Sequence, residues 1–139
     1  MPTDAQQLRD RTKRFGFDVI NLVKGLPRNI ATDAIARQLI KAGTSVSANH
    51  RAAGRARSHR EFVAKLGIVV EEVDEAELWL EALLACQLAP AVLVEPHYRE
   101  ACELRAIFVQ SLQTARRRHA NHVGVLAAVL CVLVAFLSS

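Results

Sequence analysis

Between residues 50 and 60 the sequence sets Arg51, Arg55, Arg57 and Arg60 beside His50 and His59, answered only by Glu61. Guanidinium groups at this density suit contact with phosphates, whose affinity falls steeply with salt. A solvated turn between two helices is the competing reading of the same residues. No aromatic residue interleaves with the turn to stack on bases, so base-specific RNA reading is not implied. Catalytic chemistry has less to work with. A di-iron site in a helical bundle needs a carboxylate three residues before a histidine, and no Asp or Glu stands at that offset. His119 and His122 have a helix-compatible spacing for two metal ligands, with no third ligand nearby. There is no Gly-rich phosphate loop, no nucleophile elbow and no paired carboxylates on apolar ground. The expectation is a protein without catalytic residues, cofactor or small-molecule substrate.

The elements that position these residues are helical. The chain has 139 residues, enough for one core. Its composition is 51% hydrophobic but only 5% aromatic, with 6 Gly and 4 Pro, which suits close-packed helices and not a turn-rich β fold. A first helix runs from about Thr3 to Lys24, with Leu8, Phe15, Val19, Leu22 and Val23 on one face, and stops at Gly25 and Pro27. A second starts near Asn29 to Asp33 and carries Ile35, Leu39, Ile40, Ala42 and Val46 to about Gly54. Its small residues Ser45, Ser47 and Ala48, with Asn49, predict a tight helix contact there. Asn49 is expected to make a structural hydrogen bond to a helix end or a neighbouring helix.

Ser58 and Glu61 read as a capping box that opens a third helix of about 30 residues, roughly 45 Å long. Phe62, Leu66, Val69, Val70, Val73, Leu80, Leu83 and Leu84 form its apolar stripe, and Pro90 limits it. Glu95-Pro96 is expected to open the fourth helix, with Pro in its first turn, followed by Leu104, Ile107, Phe108, Leu112 and Ala115. Short connections make the four an all-α, antiparallel up-down bundle.

Folding the second and third helices back about residue 56 would set Lys41 level with Glu71, Arg37 with Glu75 and Arg51 with Glu61. Such exposed pairs are worth up to about 1 kcal/mol each. Arg55, Arg57 and Arg60 are left without an evident partner. Glu71, Glu72, Asp74, Glu75, Glu77 and Glu81 read as a solvated acidic face, and Trp79 as either core or a subunit contact.

The formal charge is +4, but Arg116, Arg117 and Arg118 supply most of that excess; residues 1–115 hold 15 basic and 14 acidic residues. Any basic surface must therefore come from segregation of charge within a balanced body. Cys86, Cys102 and Cys131 are odd in number and widely spaced, and the polar N-terminus carries no secretory pattern. Buried, reduced thiols in a cytoplasmic protein are the expectation.

The stretch KAGTSVSANHRAAGRARSHREFVAKLGIVVEEVDEAELWLE resembles the four-helix-bundle family of proteins encoded in intervening sequences of 23S ribosomal RNA. The matching elements are Ser45-Val46-Ser47-Ala48-Asn49, the turn Gly54 to Ser58, and Glu61-Phe62. The commoner family pattern has an apolar and then an acidic residue after the Asn. His50 and Arg51 stand there instead, which resembles an Arg-rich branch. The resemblance spans about residues 7–118. It implies a bundle that assembles into a ring, usually a homopentamer, and does not imply an enzyme. A relative in diversity-generating retroelements forms a basic pentamer that binds reverse transcriptase and nucleic acid, so RNA or DNA is the partner implied. A five-fold ring would repeat the arginine turn along one rim. The alternative is a protein-only adaptor that binds through the acidic helix and Trp79.

Residues 119–139 are set apart from the bundle domain 1–118 as an extra apolar helix beyond the resemblance. Val123 to Leu137 is 15 residues without charge or strong polarity, roughly 22 Å as a helix against a hydrocarbon core of about 30 Å. Arg116 to Arg118 precede it, as where a cytosolic domain meets a membrane. A membrane anchor is the first reading. A helix buried in the oligomer and an accidental extension of the reading frame are the others.

Overall fold

The structure, a computed structural model, describes residue 1 and residues 3–137; the side chains at positions 119, 122, 132 and 134–137 lie outside that description. Four helices follow in order: α1 (Asp4–Lys24), α2 (Ile30–Ala53), α3 (His59–Ala85) and α4 (Ala91–Leu137). They pack α1 on α2, α2 on α3, α3 on α4 and, along the shortest seam, α4 back on α1. This is the expected all-α bundle.

Local chemistry sets the helix starts. Thr3 Oγ1 accepts from Gln6 N at 3.2 Å, Asn29 Oδ1 from Thr32 N at 3.0 Å and Ser58 Oγ from Glu61 N at 3.1 Å. Each side chain satisfies an amide that the first turn leaves without a helical partner. The α3 end is closed differently. Leu88 N donates to Leu83 O at 3.0 Å and Gln87 N to Leu84 O at 3.1 Å. Gln87 sits in the left-handed region at φ 52°, where glycine is usual.

The core runs the length of the bundle. Phe15, Val19, Leu39, Val46, Val69, Val73, Leu80, Leu83, Leu104 and Phe108 are all essentially inaccessible. Burying each such side chain is worth about 1.5–3 kcal/mol. Helices α1 and α2 approach closely where two glycines face each other. A Cβ on Gly16 would come 3.2 Å from Gly43 O, and one on Gly43 would come 3.0 Å from Val19 Cγ1. A tight contact in α2 is thus made at Gly43, just ahead of the 45–49 segment in which one was expected. Asn49 donates to Ser45 O of its own helix at 3.0 Å and, among the described residues, bonds no other helix.

Charge fastens the short α1–α4 seam. The Arg11 guanidinium donates to Glu100 Oε1 at 2.6 Å and Oε2 at 2.8 Å, and also bonds Glu103. Those bonds, with Glu100 first, hold Arg11 firmly charged. On the other side of α4, Arg105 bonds Glu77 at 2.5 and 3.2 Å.

Four expectations need correction. Helix α4 begins at Ala91, so Pro96 lies inside it and does not open it. Val92, whose carbonyl loses its helical partner to the missing Pro96 N–H, is exposed to water. The apolar tail is not a separate element, because α4 runs without a break for 47 residues, about 70 Å. Cys86 and Cys131 are exposed and only Cys102 is half-buried, so these thiols are not core residues. The acidic face is not uniformly solvated. Glu77 is taken by Arg105, and Glu75 accepts from Trp79 Nε1 at 3.3 Å while the indole packs against the core. Burial, then the neighbouring Glu75, pushes the Glu72 carboxyl up.

Candidate nucleic-acid interface

The antiparallel order brings the start of α1, the α2–α3 turn and residues 115–118 of α4 to one end of the bundle. The turn is compact. Gly54 N donates to His50 O, Arg55 N to Ala52 O and Ala56 N to Ala53 O, each at 3.1 Å. Arg51, Arg55, Arg57 and Arg60 all project into solvent.

Their partners differ from the expected register. Glu61 does not face Arg51. Its Oε2 accepts from Arg57 N at 2.9 Å and lies 3.7 Å from Arg57 Nε. The capping box is thus half formed: the serine arm is present, and the glutamate reaches one residue past the cap amide. Among the described residues neither the Lys41–Glu71 nor the Arg37–Glu75 ion pair forms.

The rest of the motif is structural. Val46 is buried, Ser45 and Asn49 are half-buried, and Ala48 is exposed. Phe62 packs against the core, its ring 6.2 Å from that of His59, whose Nε2 lies 2.8 Å from Ala115 O. A mostly apolar groove of about 780 Å³ runs along this α3–α4 side, lined by Phe62, Leu66, Ile107 and Arg118.

On the α1–α2 side the groove is polar. A cleft of about 530 Å³ is lined by Arg51 and Arg55 from α2 and its turn and by Arg9 and Lys13 from α1. The last two were missed in the sequence. Their signal is the helical spacing Arg9, Lys13, Phe17, with Lys13 Nζ 5.7 Å from the Phe17 ring centre. His119 and His122, the residues with metal-ligand spacing, have side chains outside the described ones.

Beneath the cleft, Thr12 Oγ1 lies 2.9 Å from Arg9 O and 3.2 Å from His50 Nδ1. A hydroxyl has one proton to give. If Arg9 O takes it, His50 Nδ1 must carry a proton and donate to the hydroxyl. The rings of His50 and Phe108 form a T-shaped pair, with centres 4.9 Å apart.

Burial, reinforced by the charge of Arg9, pushes the His50 pKa down. The unfolded chain therefore takes up this proton first, near pH 6.5. Stability is complete above that pH and is lost as pH falls below it. His97, also pushed down by burial and partly offset by Asp18, acts in the same sense. Thermal melts from pH 8 to 5 should show this loss, and His50→Gln should flatten it, leaving the His97 share. An unchanged pH slope in the variant would show that His50 is not its source.

The family model for the 23S rRNA-intervening sequence protein matches residues 5–110. The chain belongs to that family. A crystal structure of a protein with unknown function from the S23 ribosomal protein family of Bacteroides thetaiotaomicron VPI-5482 superposes with a TM-score of 0.72. The two are 26% identical, and the match covers 80% of this chain and 99% of that one. No curated protein matches. The 23S rRNA-intervening sequence family model stops before the apolar end of α4. Among the described residues no helix is long and apolar enough to cross a membrane.

Proposed function

We propose that this member of the 23S rRNA-intervening sequence family is a non-enzymatic, oligomeric interaction module that binds nucleic acid through the basic end of its bundle. The observation that carries this reading is the segregation of charge. Arg51, Arg55, Arg57 and Arg60 share one end with Arg9, Lys13 and Arg116–Arg118, against Asp4, Asp10, Glu61 and, where Arg11 meets α4, Glu103. Repetition around a ring, a homopentamer by resemblance, multiplies weak phosphate contacts into one surface. Leu78, more than half exposed at 52%, supplies apolar area for a subunit contact.

Light scattering on the full chain should give several times 15.3 kDa; a monomer at micromolar concentration removes the ring. Four arginines contacting single-stranded RNA would give a log–log salt slope of roughly −3 per chain. Affinity should then fall about fiftyfold between roughly 50 and 200 mM salt. Changing Arg51, Arg55, Arg57 and Arg60 to Ala should remove most of that slope with helicity unchanged. If the intact oligomer binds no RNA or DNA at about 50 mM salt, the protein-only adaptor takes its place. The adaptor reading draws less support, because Trp79 is packed on the core with its N–H engaged.

A second reading concerns the tail, and a specific observation favours it. The apolar end of α4 leaves the bundle at its basic end, immediately after Arg116–Arg118, so a membrane tether would bring the same arginines to the lipid headgroups.

A further inference from the structure

The unpaired cations at the basic end are not spread evenly over it. Arg11, Arg28, Arg57, Arg99 and Arg105 each face a carboxylate. Arg9, Lys13, Arg51 and Arg55, which line the α1–α2 cleft, make no ion pair among the described residues. The one carboxylate in the lining, Asp10, accepts from Gln6 Nε2 at 3.1 Å. The other end of that amide holds Arg9: Gln6 Oε1 accepts from its Nη2 at 2.8 Å and its Nε at 3.3 Å. A neutral partner thus orients the guanidinium without cancelling its charge. Across the turn, Arg9 reaches the backbone of Gly54, where a Cβ would stand at an ordinary 3.9 Å from its Nη1. Above Lys13 on the same face of α1, Phe17 exposes 56% of its surface.

The geometry points to a track for single-stranded nucleic acid along α1 and the end of α2. Arg9, Lys13, Arg51 and Arg55 seat successive phosphates in the cleft, and Phe17 offers its ring to a base. This rests on the nucleic-acid reading above and assigns it to a different set of residues. Four cations against one carboxylate favour a ligand with more than one negative charge, and arginine forks match phosphate oxygens in pairs. Cations that follow a backbone beside an exposed aromatic ring are the usual makeup of a single-strand site. Phe17 lies two helical turns from Arg9, about 12 Å along the axis, a reach that spans two nucleotides of an extended strand. Lys13 Nζ lies 5.7 Å from the Phe17 ring centre, so the row of cations runs up to the aromatic ring.

The test is fluorescence anisotropy of a labelled oligouridine of about twelve nucleotides with the full chain and three exposed-residue variants, each checked for helicity and mass. Arg9→Ala with Lys13→Ala should weaken binding at least tenfold and reduce the salt slope by roughly 1.4. Phe17→Ala should cost roughly five- to hundredfold, with the slope unchanged and Phe17→Trp restoring affinity. Arg57→Ala with Arg60→Ala, outside the cleft, should cost less than the first pair. If the Arg9/Lys13 variant binds like wild type while the Arg57/Arg60 variant fails, the track is overturned and the basic-end reading stands. If wild type itself fails to bind, the reading falls as well. Pyrophosphate is the free-phosphate arm. Competition only at millimolar concentration supports a polymer ligand, and displacement at micromolar concentration would overturn it in favour of a small phosphate compound.

Discussion

Replacing Phe108 with alanine should destabilise the bundle by about 3–5 kcal/mol. Its ring is fully buried, at 0% exposure, and lies where α4 meets the end of α2. The ring of His50 packs against it in a T-shaped pair, and His50 in turn is joined to Thr12 of α1. Truncation therefore removes transfer energy, opens a cavity and leaves the histidine without the surface that holds it neutral. A single domain has about 5–15 kcal/mol in total, so the loss should be plain in urea titration. Phe17→Ala is the control. Phe17 sits on the outer face of α1, and the same chemical change there should cost under about 1 kcal/mol. Equal losses at the two positions would mean that Phe108 is not the centre of the packing described here.

The contrast between these two phenylalanines also shows what the sequence could disclose. Phe15, Val19 and Leu22 mark the buried side of α1 by their spacing, and Phe17 falls outside that stripe. Helix starts were legible because a cap is a local event: Thr3, Asn29 and Ser58 each act within three residues of themselves. Pro96 misled because proline is tolerated in more than one place near a helix start. The real start, after Pro90, has no side-chain cap to advertise it.

Cross-helix pairing was not legible. Counting outward from residue 56 fixes height along the bundle but says nothing of rotation about each axis, and one residue turns a side chain by about 100°. That step is enough to undo the expected Lys41–Glu71 pair, with the Lys41 charge bearing also on the neighbouring Glu72. It likewise leaves Glu61 to Arg57, its neighbour in sequence, and not to Arg51. The arginines of the turn could be found by their local density. Arg9 and Lys13 show only as a helical row with Phe17; that they share a cleft with Arg51 and Arg55 follows from the packing of α1 beside α2, with Gly16 against Gly43.

Cutting the chain after Arg118 should leave the bundle folded and abolish its attraction to lipid vesicles. The core ends at Ala115, so residues 119–139 contribute nothing described to it. What they add is exposed apolar surface: Val123, Val125, Leu126, Val129, Leu130 and Leu133 are each 51–69% open. Covering half of each such side chain is worth about 1 kcal/mol, or roughly 6 kcal/mol for the six before the cost of association. A surface of that size does not stay in water when a partner is at hand. Lipid and a second copy of the tail are the two claimants. The length of Val123 to Leu137, roughly 22 Å, is short for a full crossing, and local thinning or inward-reaching flanks would have to make up the difference. Charge favours lipid. Arg116–Arg118 adjoin the segment, and the turn arginines lie at the same end, so an anionic surface would meet both at once. In flotation with vesicles rich in phosphatidylglycerol, the full chain should rise with the lipid and the shortened chain should stay below. Replacing the anionic lipid with phosphatidylcholine should weaken the full chain's binding more than tenfold, as expected for several basic residues at about 1 kcal/mol each. If the full chain stays below in both cases, in the same oligomer as the shortened one, the tail is buried between subunits and the tether is ruled out.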